Sequence, residues 1–384
     1  VHIAFLTSEF PHKSINHSAG IGTSIYNICF GLLELGAKVS LIVYNQKNKE
    51  KETHYYKGLE IHIIKNKKHK YFGWYLNRKY IQKEVNDIVH ENKIDIIEAP
   101  DWTGITAFMK FSVPLVIRMH GSDAFFCRLE NRKQKKKNYL FEKLALNKAN
   151  GLIAVSEFVA ENTNEIFKLN KKIKVIPNGV ALKNFVNNKP FDFKKYQILY
   201  FGTIIRKKGL LELAHIFNQV CKYNPKAKLI LIGKDDYDKK TNSKSTFSLM
   251  KNIFSPEAFT QVTYLGKKTY QELKKYILES HICVFPSLAE SFGMVTIEAM
   301  ALQKAVVSSN YKWAQEIINH KENGILEDPK NHKKFSQEIV NLLSDENFSQ
   351  EIGKKARLKV EEKFDIFKIS KVNIDFYKTI IHNH

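Results

Sequence analysis

The chain has 384 residues, 43% hydrophobic and 26% charged, with 61 Lys and Arg against 39 Asp and Glu, a net charge of +22. That length exceeds one ordinary core and predicts two domains, while the ordinary globular balance excludes wholesale disorder. The positive excess favours a polyanionic partner, whether nucleic acid, phosphorylated substrate or anionic membrane surface; a solvated lysine-rich surface is the plainer alternative.

Cys29, Cys127, Cys221 and Cys283 lie far apart with no C-x-x-C pair, which predicts reduced thiols and a cytoplasmic compartment. The opening VHIAFLTSEF is shorter than a signal peptide, and no apolar run approaches the ~18 residues of a spanning helix. Membrane contact is therefore expected to be peripheral.

Short apolar, β-branched runs alternate with longer helical patterns. HIAFL, KVSLIVY, LEIHII, IDIIEA, PLVIRM and GLIAVS predict buried parallel strands in the first half. QILYFG, KLILIG, VTYLG, ICVFPS and AVVSS repeat the pattern in the second, so two α/β sheets follow one another. IPNGVALKNFVNNKPFDFKKY, with two prolines and an Asn-Gly turn, predicts a linker near residues 178–196. From about Phe364 the chain is helical and too amphipathic to be left in water. The expected partition is 1–184 and 185–363, with 364–384 a candidate to return to the first domain.

In open α/β sheets ligands bind beyond the carboxyl ends of the strands, so the strand-to-helix turns are the places to look. SAGIGTSIYN sets Gly20 and Gly22 at the mouth of the first helix, a pair that serves equally as a tight turn of positive φ. VIRMHGSDAF puts His120 and Asp123 just past a strand end, where a lone histidine is more often a packed or solvated one. FGTIIRKKGL follows a strand with Gly202 and then Arg206, Lys207 and Lys208, fixed cations suited to a leaving diphosphate; basic surface turns are also common. Asp236 and Asp238 have the D-x-D spacing of a cation site but sit in a polar loop, and a solvated turn is the preferred reading. No nucleophile elbow or Walker loop occurs.

The richest turn is ICVFPSLAESFGMVTIEAMAL. A strand ends near Phe285, and Phe292, Gly293, Met294 and Val295 open a helix whose free amides form an anion site. A glutamate beside an anion would be repelled, so Glu290 and Glu298 are read as hydroxyl acceptors, Glu298 for a ribose diol and Glu290 for a sugar. Sugar, phosphate bridge and ribose in one row describe a nucleotide sugar. For these residues alone, a capping and a surface glutamate remain the alternative.

Taken together, SAGIGTSIYNICFGLLELGAKVSLIV, DIIEAPDW, IRMHG, GLIAVSEFV, VIPNGV, YFGTIIRKKGL, LILIGK, YLGKKTYQELKKY, VFPSLAESFGMVTIEAMAL and ENGILEDP resemble the retaining glycosyltransferases of family 4, the group 1 proteins of GT-B fold. The resemblance implies two Rossmann-like domains facing a central cleft, the donor held by the second and the acceptor by the first. It implies Glu298 on the ribose, Glu290 on sugar hydroxyls, Lys208 and Arg206 on the diphosphate, His120 near the transferred sugar, and the backbone of Phe292 to Val295 completing the anion site. Gly20, Gly22 and Gly202 join the donor-binding set. It further implies retention by front-face attack, with the nucleotide sugar as co-substrate and neither metal nor other cofactor. Thr203 stands where many members carry arginine, Lys312 and Trp313 where many show a Gly-Gly pair, and Gln303 where glycine is usual.

KNKKHKYFGWYLNRKY and RLENRKQKKKNYLFEKLALNKAN interleave lysine and arginine with aromatics in the expected acceptor domain. They favour an enzyme on the inner membrane face that extends a saccharide or lipid-linked acceptor of a cell-surface glycan, such as capsule, exopolysaccharide or lipopolysaccharide. Solvated faces, a soluble enzyme acting on a small sugar or sugar phosphate, and a sugar-nucleotide epimerase are the alternatives. A nucleic-acid-binding protein would explain the charge but not the paired glutamates, and no nucleic acid is expected as partner.

Overall fold

The computed structural model describes residues 1–44, 50–65, 67 and 70–384. In chain order the elements are β1 (His2–Thr7), α1 (Gly20–Glu34), β2 (Lys38–Val43), β3 (Glu52–Tyr56), β4 (Leu59–Ile63), α2 (Gly73–Asn92), β5 (Ile96–Pro100), β6 (Leu115–Met119), α3 (Asp123–Leu129), α4 (Lys136–Lys148), β7 (Gly151–Ala154), α5 (Glu157–Phe167) and β8 (Ile173–Val175). There follow β9 (Lys194–Phe201), α6 (Leu210–Tyr223), β10 (Lys228–Ile232), α7 (Thr246–Lys251), α8 (Pro256–Phe259), β11 (Val262–Tyr264), α9 (Tyr270–Glu279) and β12 (Ser280–Phe285). The chain closes with α10 (Met294–Ala301), β13 (Ala305–Ser309), α11 (Lys312–Gln315), β14 (Ile325–Glu327), α12 (His332–Ser344), α13 (Glu346–Lys363) and α14 (Ile366–His382). Among the described residues no helix is long and apolar enough to cross a membrane.

The chain divides into two compact units, Val1–Ala181 with Asp365–His384, and Leu182–Phe364. The first contains an eight-stranded sheet in the order β3-β4-β2-β1-β5-β6-β7-β8, parallel except for the β3–β4 hairpin. The second contains a six-stranded parallel sheet in the order β11-β10-β9-β12-β13-β14, the doubly wound order of a Rossmann-like domain. The strands read as apolar runs because both faces are covered; every residue of β5, β6, β7, β12 and β13 is buried.

Three short edge strands, β3, β8 and β14, escape the sequence reading. ETHYY, at the edge, alternates half-buried and exposed residues and turns back through Lys57 and Gly58, both at positive φ. β9 begins at Lys194, inside the stretch expected to be linker.

Helix α14 packs against α1 in the first unit. A Cβ on Gly31 would lie 2.3 Å from Ser370 Oγ, so only glycine admits the helix this closely. Beneath it Arg118 Nε and Nη2 donate to the two oxygens of Glu98 at 2.7 and 2.9 Å, and the Tyr377 hydroxyl donates to Glu98 Oε2 at 2.6 Å. Arg118 also donates to Asn373 Oδ1. An ion pair inside a sheet is tolerable only when its remaining hydrogen-bonding capacity is filled, and α14 supplies the partners.

Candidate active site

Two strand-to-helix turns of the second unit are built against one another. Beyond β9, Gly202 donates its amide to Ile232 O at 2.9 Å, and the chain makes a 3-10 turn at Arg206–Lys208 before Gly209 starts α6. The Lys207 carbonyl accepts from the amides of Leu288 and Ala289 at 2.8 and 3.2 Å, tying this turn to the loop after β12. Gly209 has φ 70, and a Cβ there would fall 1.7 Å from Pro286 O. The joined backbones leave the Lys208 ammonium in an ion pair with Glu290 Oε1, which also accepts from Ser287 Oγ at 3.1 Å.

Past Glu290 the chain enters α10. Phe292 is buried with its ring 5.7 Å from that of Phe364, and Gly293 adopts φ 101 at the N-cap. No side chain caps this helix and its first turn carries no acid, so its dipole is left without an acidic side chain at the positive end. Met294 and Val295 are half-buried. A Cβ on Gly293 would meet the Trp313 ring at 3.4 Å, so the tryptophan that replaces the usual glycine pair packs against the mouth of α10.

Glu298 lies within α10, only 8% exposed, and no described residue donates a hydrogen bond to it. Burial pushes its carboxyl up to about 7. Its oxygens are not among the fully buried side-chain atoms without a partner, so they reach solvent and could accept from a ligand.

Arg206, expected beside a diphosphate, has its guanidinium on Asp238, Nε to Oδ1 at 2.7 Å and Nη2 to Oδ2 at 2.8 Å. Asp238 is 2% exposed and also accepts from Thr241 Oγ1 and N. The solvated turn expected at Asp236 and Asp238 is thus corrected for Asp238: its carboxylate is consumed by arginine, which holds it well below the usual carboxylate range. Lys208 and Glu290 are brought together just before α10, the helix that carries Glu298; Arg206 is drawn toward the loop after β10.

In the first unit His120 follows β6, 7% exposed, and burial with nearby Arg118 pulls its ring down to about 3, so it is neutral. Its amide donates to Asp101 Oδ1 at 3.0 Å, while Asp101 Oδ2 is buried without a partner and burial pushes this carboxyl up to about 8. Asp123 belongs to a different network, bonding Arg132, Asn138 and Cys127. Gly20 and Gly22 begin α1 with negative φ, so the tight-turn reading of this pair does not hold. Gly20 has open space around it, whereas a Cβ on Gly22 would press on Glu9 and Phe10 at 3.3 Å. Glu9, missed in the sequence, accepts from the Ala19 amide at 2.5 Å and places a carboxylate at this helix mouth. Both were legible as acids just past a strand end, Asp101 after β5 and Glu9 after β1.

Residues 183–359 match the family model described as glycosyl transferases group 1, and residues 18–184 match that of glycosyltransferase family 4. The chain belongs to the group 1 glycosyltransferases. This glycosyltransferase carries Lys208, Glu290 and Glu298 in the first matched region and Gly20, Gly22 and His120 in the second. It is 25% identical to an uncharacterised glycosyltransferase of Methanocaldococcus jannaschii, over 98% of this chain and 97% of the relative. It is 28% identical to the capsular polysaccharide biosynthesis glycosyltransferase CapM of Staphylococcus aureus, over 59% of this chain and 60% of that one. Among solved structures, the sucrose-phosphate synthase of Thermosynechococcus elongatus superposes with a TM-score of 0.82 at 18% identity, covering 100% of both chains. Anabaena HepE in complex with UDP and glucose gives 0.74 at 18% identity, covering 98% of this chain and 99% of the other. The fold of the glycosyltransferase is GT-B.

Proposed function

We propose that the enzyme transfers a glycosyl group from a nucleotide sugar to a saccharide or lipid-linked acceptor, with retention, in the cytoplasmic synthesis of a cell-surface glycan. The observation that carries the donor is the row of Glu290, the uncapped start of α10 and the donor-less Glu298. Glu298 accepts from the ribose hydroxyls, the amides of Met294 and Val295 with Lys208 neutralise the diphosphate, and Glu290 accepts from hydroxyls of the sugar. Neutral His120 is the first unit's candidate for a hydrogen bond to a sugar hydroxyl. Charge developing on the leaving diphosphate meets fixed donors, and the leaving phosphate takes the acceptor proton, so neither metal nor protein nucleophile is required.

Likeness to CapM and to the lipopolysaccharide 1,2-N-acetylglucosaminetransferase of Salmonella typhimurium, 26% identical over 50% of this chain, supports the glycan assignment. The test is a thermal-shift screen of UDP-, GDP- and ADP-sugars, followed by product analysis with the best donor. A ligand at 100 times its dissociation constant adds about 2.7 kcal/mol of stability. No shift with any nucleotide sugar, or an epimerised free sugar with no glycosylated acceptor, would end the proposal.

A further inference from the structure

The two basic and aromatic stretches, far apart in sequence, meet in the first unit. Trp74 in the first turn of α2 packs its ring on Phe141 of α4 with centroids 5.0 Å apart, and Phe108 lies 5.7 Å from Trp74 and 5.5 Å from Phe141. Lys137 sits 5.1 Å over the Trp74 ring and Arg78 4.4 Å over Phe141. Asn66, Lys68 and His69 of the first stretch lie outside the described residues.

Two features of this face go beyond that packing. The first is apolar exposure: Tyr71 and Phe72 are 69% and 75% exposed, and Trp74, Tyr75, Leu76 and Leu140 are exposed as well. Phe72 holds φ 49 at the start of α2, a conformation unfavourable for an aromatic residue. The second is charge. Lys135 is the N-cap of α4, Lys136 and Lys137 follow, and the first turn has no acid, which opposes the helix dipole. Nearby acids are engaged elsewhere: Asp123 and Glu130 pair with Arg132, Glu165 with Arg128, and Glu142 is buried on four donors. Lys67, Lys70, Lys133, Lys135, Lys136 and Lys137 are exposed, and among the described residues none has a carboxylate partner.

We infer that this face docks on an anionic lipid bilayer, its lysines on the headgroup phosphates and Tyr71 and Phe72 in the interfacial layer. Unpaired lysines around exposed aromatic rings complement a surface that is negative outside and apolar just beneath. The inference deepens the lipid-linked reading of the acceptor and rests on it.

The test is flotation of the full chain with phosphatidylcholine vesicles and with vesicles mixed with phosphatidylglycerol, at low and high salt. Binding is expected to the anionic vesicles only, and to be lost at high salt as the charges are screened. Lys133→Glu/Lys135→Glu/Lys136→Glu should abolish flotation, and because acids suit a helix start the variant should melt no lower than the parent. Tyr71→Ser/Phe72→Ser should weaken flotation with unchanged melting. Equal binding to neutral vesicles, flotation retained after charge reversal, or binding of single-stranded RNA without flotation would overturn the inference. So would concentration-dependent dimerisation lost on Phe72→Ser. If the parent fails to float yet still binds a nucleotide sugar, only the docking surface falls.

Discussion

Lys208 and Glu290 form an ion pair in which each is the other's partner before any donor arrives. In the proposed donor site, a nucleoside diphosphate alone would draw Lys208 away and leave Glu290 buried without a cation, whereas the full nucleotide sugar would bring hydroxyl donors to replace it. Glu290→Gln should therefore bind the free diphosphate about tenfold more tightly, narrow the preference for the sugar form, and lower turnover by roughly 10²–10³. Titration calorimetry with both ligands checks this; an unchanged affinity ratio would count against the coupling.

Glu298 gives a pH signature. Its carboxyl in the free enzyme is pushed up to about 7, above the ordinary value of 4.5, and ribose hydroxyls would favour the charged form. Binding then releases a proton, so donor affinity should rise with pH through about 7 and level off above. The same shift makes the native state bind more protons than the unfolded chain: the contribution to stability is complete below 4.5 and lost as pH rises through about 7. Glu298→Gln should melt higher than the parent at pH about 8, by roughly 1–3 kcal/mol, with the gap closing toward pH about 5, and its donor affinity should be weak and flat with pH. A parallel pair of melting curves across that range refutes the account.

Asp238 is satisfied by Arg206 and Thr241, and among the described residues no three His, Cys, Asp or Glu side chains gather in a way that would hold a metal ion. Activity should survive EDTA. Asp238→Asn should cost about 1–3 kcal/mol through the orphaned guanidinium. Because the folded carboxyl is depressed, that contribution is present above the unfolded value of 3.8 and lost as pH falls through the folded one. Activity lost on chelation and restored by Mn or Mg would reverse the assignment.

The buried group of Glu98, Arg118 and Tyr377 predicts non-additivity. Arg118→Met should destabilise by about 3–5 kcal/mol because Glu98 is left buried without its cation and with only the Tyr377 hydroxyl, and Tyr377→Phe by roughly 1–3 kcal/mol. Removing both charges, as Glu98→Leu/Arg118→Met, should cost less than Arg118→Met. Denaturant titrations of the three variants decide it, and a double variant less stable than Arg118→Met would exclude the mechanism.

The sheets and Glu290, Gly293 and Glu298 were legible because apolar runs and turn chemistry are local properties of the chain. What escaped is long-range. Arg206 read as a free cation because its partner Asp238 comes 32 residues later. Glu98, in a run that reads as plain buried strand, finds Tyr377 279 residues on. The edge strands β3, β8 and β14 are too short to show a period, and β3 is half-exposed. Trp74 and Phe141 each looked like part of a basic amphipathic stretch, and only the packing of α2 beside α4 joins them.

The return of α14 to the first unit sets an order of assembly during synthesis. Residues 182–364 form an uninterrupted compact unit and can close as soon as they leave the ribosome, whereas residues 1–181 are made first but lack α14 until residues 365–384 emerge. Until then α1 exposes the surface that receives α14, and the Glu98–Arg118 pair lacks Asn373 and Tyr377. A chaperone would find its longest-lived target in the first-made of the two units.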